Sequence, residues 1–178
     1  RLQLDYFDLI ACHRDDFETP VEETCRAIDF LINQGKVMYW GTSEWPVERI
    51  MEAHRVCEKL GLHKPVVEQP EYSMLMRDKM EKEYLQLFTE QGMGTTVWSP
   101  LAGGILSGKY KNGIPEGTRF DTSDPTFKIA YERFLGENVR GKTNGILKGL
   151  EEVAEELGCT LAQLAYAWVL KNQNVSVC

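Results

Sequence analysis

The sequence predicts an α/β fold, namely the C-terminal part of a (β/α)₈ TIM barrel, about strands four to eight, incomplete at both ends. Three observations lead to this prediction. Apolar runs rich in β-branched and aromatic residues recur about every 30 residues, helical patterns lie between them, and the G-x-G-x-x-G turn of a dinucleotide-binding doubly wound sheet is absent. A doubly wound sheet is the alternative. We expect residues 1–178 to form one partial domain, because the chain opens without Met and closes on a strand-like run.

Five strands are predicted in chain order. They are YFDLIAC from Tyr6, VMYWGTS from Val37, VVEQPEY from Val66, TTVWSP from Thr95 and the final VSVC. The first four start about 30 residues apart, which leaves room for one helix between them and is typical of right-handed βαβ units and a parallel sheet. A complete barrel needs about 250 residues, so the 178 residues of this chain correspond to part of one.

The predicted helices are bounded by capping residues. Thr19 with Glu22 predicts a capping box at the start of the first helix, and Thr160 with Gln163 predicts another before the last helix. The helices are expected from Pro20 to Gly35, from Pro46 to Gly61, from about Asp78 to Gln91, from about Leu147 to Gly158 and from Thr160 onward. The polar, glycine-bearing stretch from Leu101 to about Gly141 is interpreted as a long functional loop.

Composition excludes several classes of function. The chain is 43% hydrophobic with a formal net charge of −7, which does not favour binding to nucleic acid or anionic lipid. No apolar run approaches membrane-spanning length, and the five cysteines lack zinc-like spacing, so we expect reduced thiols in the cytoplasm and no membrane insertion. Asp15 and Asp16 beside Arg14 could suggest a metal site. No second set of ligands appears, so a solvated loop is the interpretation and no metal is expected.

The stretch GGILSGKY from Gly103 to Tyr110 nearly matches a Walker A loop. Tyr110 stands where that loop needs Ser or Thr to hold Mg²⁺, so we reject a triphosphate site. In (β/α)₈ barrels, phosphate sites often follow strands seven and eight, and this loop follows the predicted seventh strand. Glycine N–H groups could then donate to phosphate oxygens, and Lys109, Lys111 and Arg119 would supply local positive charge.

Four separated motifs resemble those of the aldo-keto reductases. They are YWGTSEW, VEQPEYSM, WSPLAGGILSGKY and IPEGTR, and the similarity covers nearly the whole chain. The nearest similarity is to the beta subunits of voltage-gated potassium channels and their microbial and fungal reductase relatives. The resemblance implies a (β/α)₈ barrel that binds NADP(H) in an extended form without a Rossmann fold.

The resemblance also implies a role for each matching residue. His13, at the end of the fourth barrel strand, matches the active-site histidine that positions and polarises the substrate carbonyl. Ser43 and Gln69 match residues that hydrogen-bond the nicotinamide carboxamide, and Trp98 matches the aromatic residue that stacks on the flat nicotinamide ring. The pyrophosphate, ribose and adenine would be held by Ser99, Pro100, Leu101, Ala102, Gly103, Gly104, Lys109 and Arg119. Taken alone, His13 is more often an ordinary histidine, so this role depends on the barrel.

The function implied is NADP-dependent reduction of a small-molecule aldehyde or ketone to an alcohol. The family's catalytic Tyr, Lys and Asp would lie upstream of Arg1, so this chain alone is expected to be inactive. The alternative is a redox-sensing channel subunit that turns over slowly and assembles as a homo-tetramer on the cytoplasmic domain of a potassium channel. Channel subunits usually carry Asn at His13 and Arg at Glu44, which favours the reductase. A truncated gene product without a function of its own is a third interpretation.

Overall fold

The computed structural model describes residues 2–178, and these form two compact units. The first unit contains the described residues up to Tyr72 together with Arg77–Trp98 and Asn172–Cys178. The second unit contains Ser73–Met76 and Ser99–Lys171. No helix within residues 2–178 is both long enough and apolar enough to cross a membrane.

The first unit is built on one five-stranded sheet. Its strands are β1 (Phe7–Cys12), β2 (Val37–Thr42), β3 (Val67–Glu68), β4 (Gly94–Thr96) and β5 (Val175–Val177). All neighbouring strands pair in parallel, in the order β1-β2-β3-β4-β5. A doubly wound sheet reverses its strand order at a switch point, and this sheet does not. The predicted α/β class with a parallel sheet is therefore confirmed.

The helices of the first unit connect consecutive strands. They are α1 (Val21–Asn33), α2 (Val47–Leu60), a π-helical turn (Lys79–Glu83) and α3 (Leu85–Gln91). Gly61 ends α2 as predicted, and Gly92 follows the predicted last residue of α3, Gln91; both glycines have the left-handed conformation. The capping box at Thr19 is wrong, because Pro20 occupies the N-cap of α1. The Thr19 hydroxyl instead donates to Asp16 Oδ2 at 2.7 Å.

The two faces of this sheet differ in exposure within the unit. Trp40 is fully buried and donates its indole N–H to the carbonyl of His63 at 2.8 Å. The preceding residue, Tyr39, points to the opposite face of the sheet. It is 58% exposed, and its Cα partner Leu9 on β1 is 42% exposed. The buried face carries the core of this unit, and the other face presents apolar side chains.

The second unit is helical. It contains a 3₁₀ segment (Ala102–Ser107), α4 (Pro125–Leu135), α5 (Glu137–Glu156) and α6 (Leu161–Lys171). The predicted loop up to Gly141 is therefore wrong in its second half. Asp124 begins α4 by accepting the N–H of Thr126 at 2.8 Å, with proline at the first helical position. The capping box of Thr160 and Gln163 is confirmed, because each side chain accepts the other residue's N–H at 3.2 and 2.9 Å.

An apolar cluster supports the glycine-rich segment of the second unit. Tyr110 and Phe120 pack with ring centroids 4.8 Å apart. The buried members are Ala102, Ile105, Leu106, Tyr110, Phe120, Phe134, Leu135, Leu147, Leu161 and Ala165. Tyr110, which replaces the Walker A Ser or Thr, is 1% exposed and belongs to this core. Its position supports the rejection of a Mg²⁺-triphosphate site.

Glu68 is a buried acid at the end of β3. It accepts a short hydrogen bond from the Thr42 hydroxyl and another from the N–H of Glu44 at 2.5 Å. Burial disfavours the charged carboxylate more strongly than these bonds stabilise it, so the pKa of Glu68 is raised to about 7. Between its ordinary value and about 7, the folded protein keeps a proton that the unfolded chain has lost.

We expect this proton to make stability fall as pH rises. The free energy of unfolding of the native protein, relative to that of Glu68→Gln, should decrease by about 3 kcal/mol between pH 4.5 and 7, at about 1.4 kcal/mol per pKa unit. Urea denaturation of both proteins across this range measures the difference. His54, whose pKa burial lowers to about 4, acts with the opposite sign in both proteins and cancels. Parallel stability profiles would contradict the expectation.

Candidate functional site

Four predicted site residues of the first unit meet in one cavity. His13, Ser43 and Gln69 are the residues that directly follow β1, β2 and β3, and Trp98 lies two residues after β4. Together with Arg14 they line a cavity of about 210 Å³. The carboxyl ends of parallel strands lie at the same edge of a sheet, which explains why residues so far apart in sequence come together here.

Hydrogen bonds fix the polar groups of this cavity. The buried Ser43 hydroxyl donates to the carbonyl of Gln69 at 3.0 Å and accepts from Arg14 Nη1 at 3.0 Å. The Gln69 amide donates through Nε2 to Thr96 Oγ1 at 3.1 Å. Ser43 and Gln69 are therefore held in place by the ends of neighbouring strands.

The loop after β1 is anchored to α2. The Arg49 guanidinium donates to Asp15 Oδ2 at 2.8 Å, and to the carbonyl oxygens of Asp16 and Thr19 at 3.3 and 2.9 Å. The side chain of Asp15 is only 4% exposed. The prediction of a solvated loop is therefore wrong at Asp15, which forms an ion pair with Arg49. This anchor fixes the loop that begins at His13.

Glu44 is a site residue that the sequence analysis left without a role. Its backbone is left-handed, with φ of 60°. Its carboxylate accepts hydrogen bonds from the N–H of Glu71, from Trp98 Nε1 at 3.2 Å and from Lys79 Nζ at 2.5 Å. Burial raises the pKa of Glu44, but the hydrogen bonds from Lys79 and Glu71 outweigh it and the net shift is downward. An ionised Glu44 thus orients the indole of Trp98.

The remaining predicted site residues lie in the second unit, where all but one line a second cavity. This cavity has a volume of about 340 Å³ and also includes Tyr166 of α6, which the sequence analysis missed. The predicted site residues that line it are Ser99, Pro100, Leu101, Gly103, Gly104, Lys109 and Arg119. The exception is Ala102, which is 1% exposed and packs in the apolar cluster.

The loop backbone differs from the expected arrangement for phosphate binding. The N–H of Ala102 donates to the Ser99 carbonyl at 2.8 Å, that of Gly103 to Ser99 Oγ at 3.2 Å, and that of Gly104 to the Leu101 carbonyl at 3.0 Å. These donors are already satisfied inside the loop. An anionic ligand would therefore be held here mainly by side chains.

The cations of this loop divide into two groups. Lys109 and Arg119 line the second cavity, whereas Lys111 forms an ion pair with Glu151 at 2.5 Å. Gly104, with φ of +100°, leaves space for Lys109: a Cβ at this glycine would lie 2.9 Å from Lys109 Cε and 3.1 Å from its Nζ. A cavity lined by two cations, one of them a lysine packed against a glycine, fits the phosphates of a dinucleotide.

A model of the aldo/keto reductase family matches residues 1–178. The chain is 49% identical over 177 residues to a probable voltage-gated potassium channel subunit beta of Arabidopsis thaliana, and 48% identical over 177 residues to a protein of the same name from Oryza sativa subsp. japonica. Each match covers 99% of this chain and 52% of the relative, so the chain spans about half the length of these curated relatives.

A solved structure has the same fold. The glycerol dehydrogenase AKR11B4 from Gluconobacter oxydans matches with a TM-score of 0.77 and 24% identity, over 99% of this chain and 50% of that one. This likeness shows the fold alone, and it agrees with the prediction of part of a (β/α)₈ barrel. The resemblance drawn from the four motifs is confirmed by the family match over residues 1–178: the chain belongs to the aldo/keto reductase family.

Proposed function

We propose that the protein is an NADP-dependent aldo-keto reductase that reduces aldehydes or ketones to alcohols. One observation carries the proposal: four residues that follow successive parallel strands, His13, Ser43, Gln69 and Trp98, line a single cavity. A polar rim with one flat aromatic wall suits a nicotinamide ring and a small carbonyl compound. In this proposal, residues 1–178 act as one partial aldo-keto reductase domain.

The residues of both cavities have the chemistry that NADP(H) needs. Ser43 and Gln69 would hold the nicotinamide carboxamide, and the Trp98 ring would lie against the nicotinamide. Lys109 would contact a phosphate and Arg119 would lie near the adenine end, because these two cations line the second cavity. When bound, the cofactor supplies the hydride.

His13 would act on the substrate carbonyl. Its side chain is exposed at the end of β1 and lines the first cavity. An imidazole N–H there can donate to the carbonyl oxygen and stabilise the negative charge that develops during reduction. The family's general acid, a Tyr with its Lys and Asp partners, would come from residues outside this chain, which spans 52% of its curated relatives.

A second candidate function follows from the names of the two plant relatives. Both are called probable voltage-gated potassium channel subunits beta. In this alternative the protein would bind NADPH, turn over slowly as a redox sensor, and assemble as a cytoplasmic homo-tetramer on the channel. The two candidates differ in the rate of carbonyl reduction, which can be measured.

Substituting Gly104 should weaken cofactor binding. In Gly104→Ala, the new Cβ would lie 2.9 Å from Lys109 Cε, so Lys109 must move. We expect NADPH affinity, measured by calorimetry on the full-length protein, to fall about tenfold or more, since about 1.4 kcal/mol corresponds to a factor of ten. Gly113→Ala is the control, because Gly113 also has a positive φ of +129° but its Cβ would meet nothing within 4 Å. Equal losses in both variants would contradict the role of Lys109.

Substituting His13 should slow reduction without weakening cofactor binding. For His13→Asn in the full-length protein, we expect single-turnover NADPH oxidation by an aromatic aldehyde to slow roughly 10- to 10³-fold, with calorimetric NADPH affinity little changed. His63→Asn is the control, since the His63 side chain is 52% exposed and pairs with Asp29. Tight NADPH binding with equally slow oxidation in native and His13→Asn proteins would favour the channel subunit, and absence of NADPH binding would contradict both candidates.

A further inference from the structure

The first cavity contains a cation with no role in the proposed function so far. Of the described residues that line this cavity, Arg14 alone carries a permanent charge. The residue is exposed and directly follows His13 at the end of β1. This permanent positive charge lies beside His13, which would contact the substrate carbonyl. A charge in that position can bind an anionic group.

One nitrogen of the guanidinium anchors Arg14 to the protein. Nη1 donates to the carbonyl of His13 at 2.6 Å, and to the carbonyl and hydroxyl of Ser43 at 3.2 and 3.0 Å. These acceptors belong to the ends of two neighbouring strands, β1 and β2. The guanidinium is therefore held at the cavity by two backbone carbonyls and a hydroxyl rather than by an acid.

The other edge of the guanidinium is unused within the part of the chain that the structure describes. Across residues 2–178, Nε and Nη2 of Arg14 make no hydrogen bond, and no carboxylate lies within ion-pair distance of this residue. The Nε–Nη2 edge presents two parallel N–H groups, which is the geometry that binds a carboxylate or phosphate in a bidentate manner. The guanidinium is fixed in position through Nη1, and its Nε–Nη2 edge is free to bind an anion.

The nearby acids already have partners. Glu44 pairs with Lys79 at 2.5 Å, and Asp15 pairs with Arg49 at 2.8 Å. Asp16 accepts from the hydroxyl of Thr19 and from the N–H of Glu18. At longer range, the charge of Arg14 contributes to lowering the pKa of Glu44, but the closer Lys79 contributes more. No carboxylate of the described residues is thus committed to Arg14.

We propose that Arg14 is a specificity-determining residue that binds the anionic group of an acidic carbonyl substrate, an oxo-carboxylate, while the neighbouring His13 contacts its carbonyl. This inference rests on the proposed reductase function and names its substrate class. The same guanidinium chemistry would also suit a phosphate of the dinucleotide. Lys109 and Arg119 are assigned to that part of the cofactor, so we assign Arg14 to the substrate.

The test compares acidic aldehydes with their neutral methyl esters in the full-length protein. The pairs are 4-oxobutanoate, 5-oxopentanoate and 4-carboxybenzaldehyde, each with its ester, so that the distance between carbonyl and carboxylate varies. We expect the native protein to prefer at least one acid in kcat/KM by roughly 10- to 100-fold, the range of a charge-assisted hydrogen bond, and Arg14→Met to lose this preference. Arg14→Lys should retain part of the preference for the acid, because lysine keeps the positive charge but lacks the two parallel N–H groups of arginine.

Two controls separate the possible explanations. Arg55→Met removes an exposed arginine of α2 that is absent from the cavity, so it makes the same change in net charge and should keep the acid preference. Calorimetric binding of 4-(hydroxymethyl)benzoate and its methyl ester to the NADP⁺-loaded protein gives a readout independent of turnover, and the acid should bind more tightly only when Arg14 is present.

The outcomes distinguish this inference from the function on which it rests. Equal use of acids and esters by the native protein, or an acid preference that survives in Arg14→Met, would overturn the role of Arg14 while leaving the reductase intact. Weakened NADPH affinity in Arg14→Met with no change in acid preference would assign the guanidinium to the cofactor instead and also overturn it. A native protein that reduces none of these aldehydes would contradict the reductase function and this inference together.

Discussion

The first cavity depends on the hydrogen bonds that the Glu44 carboxylate accepts. Glu44 lies after β2, and it holds the N–H of Glu71 after β3 and the indole of Trp98 after β4. Its own N–H is held by the buried Glu68. Three strand ends are thus joined through one side chain, whose left-handed backbone carries a cost of about 1 kcal/mol. These contacts offset that strain and fix the aromatic wall of the cavity.

The parallel sheet determines which residues can share a site. Successive strands lie next to each other, so the first residue after each strand reaches the same edge, and a site can be assembled from His13, Ser43 and Gln69 without long insertions. Each loop then needs its own anchor. Arg49 supplies one for the loop after β1. In the second unit, an apolar cluster of buried side chains packs against the glycine-rich segment.

The sequence predicted features that have local causes. Strands could be recognised from their own apolar runs, and Gly61 and Gly92 mark helix ends because glycine accommodates the left-handed conformation. The missed features depend on distant partners. Apart from the bond of Arg14 to the adjacent His13 carbonyl, Arg14 and Glu44 bind acceptors and donors 24 or more residues away. No periodicity in the sequence reveals such contacts. The start of α4 was different: Asp124 before a proline is a helix signal, hidden in a stretch that was polar overall.

The exposure of the tryptophans has an optical consequence. Trp40 and Trp45 are buried, at 0% and 3% exposure, whereas Trp98 is 38% exposed and forms a wall of the first cavity. Water around an indole shifts its emission to longer wavelength, so Trp98 should dominate the red side of the protein's fluorescence spectrum relative to these two buried residues. A molecule that covers the Trp98 ring removes that water. The fluorescence of Trp98 therefore reports whether a molecule occupies the first cavity.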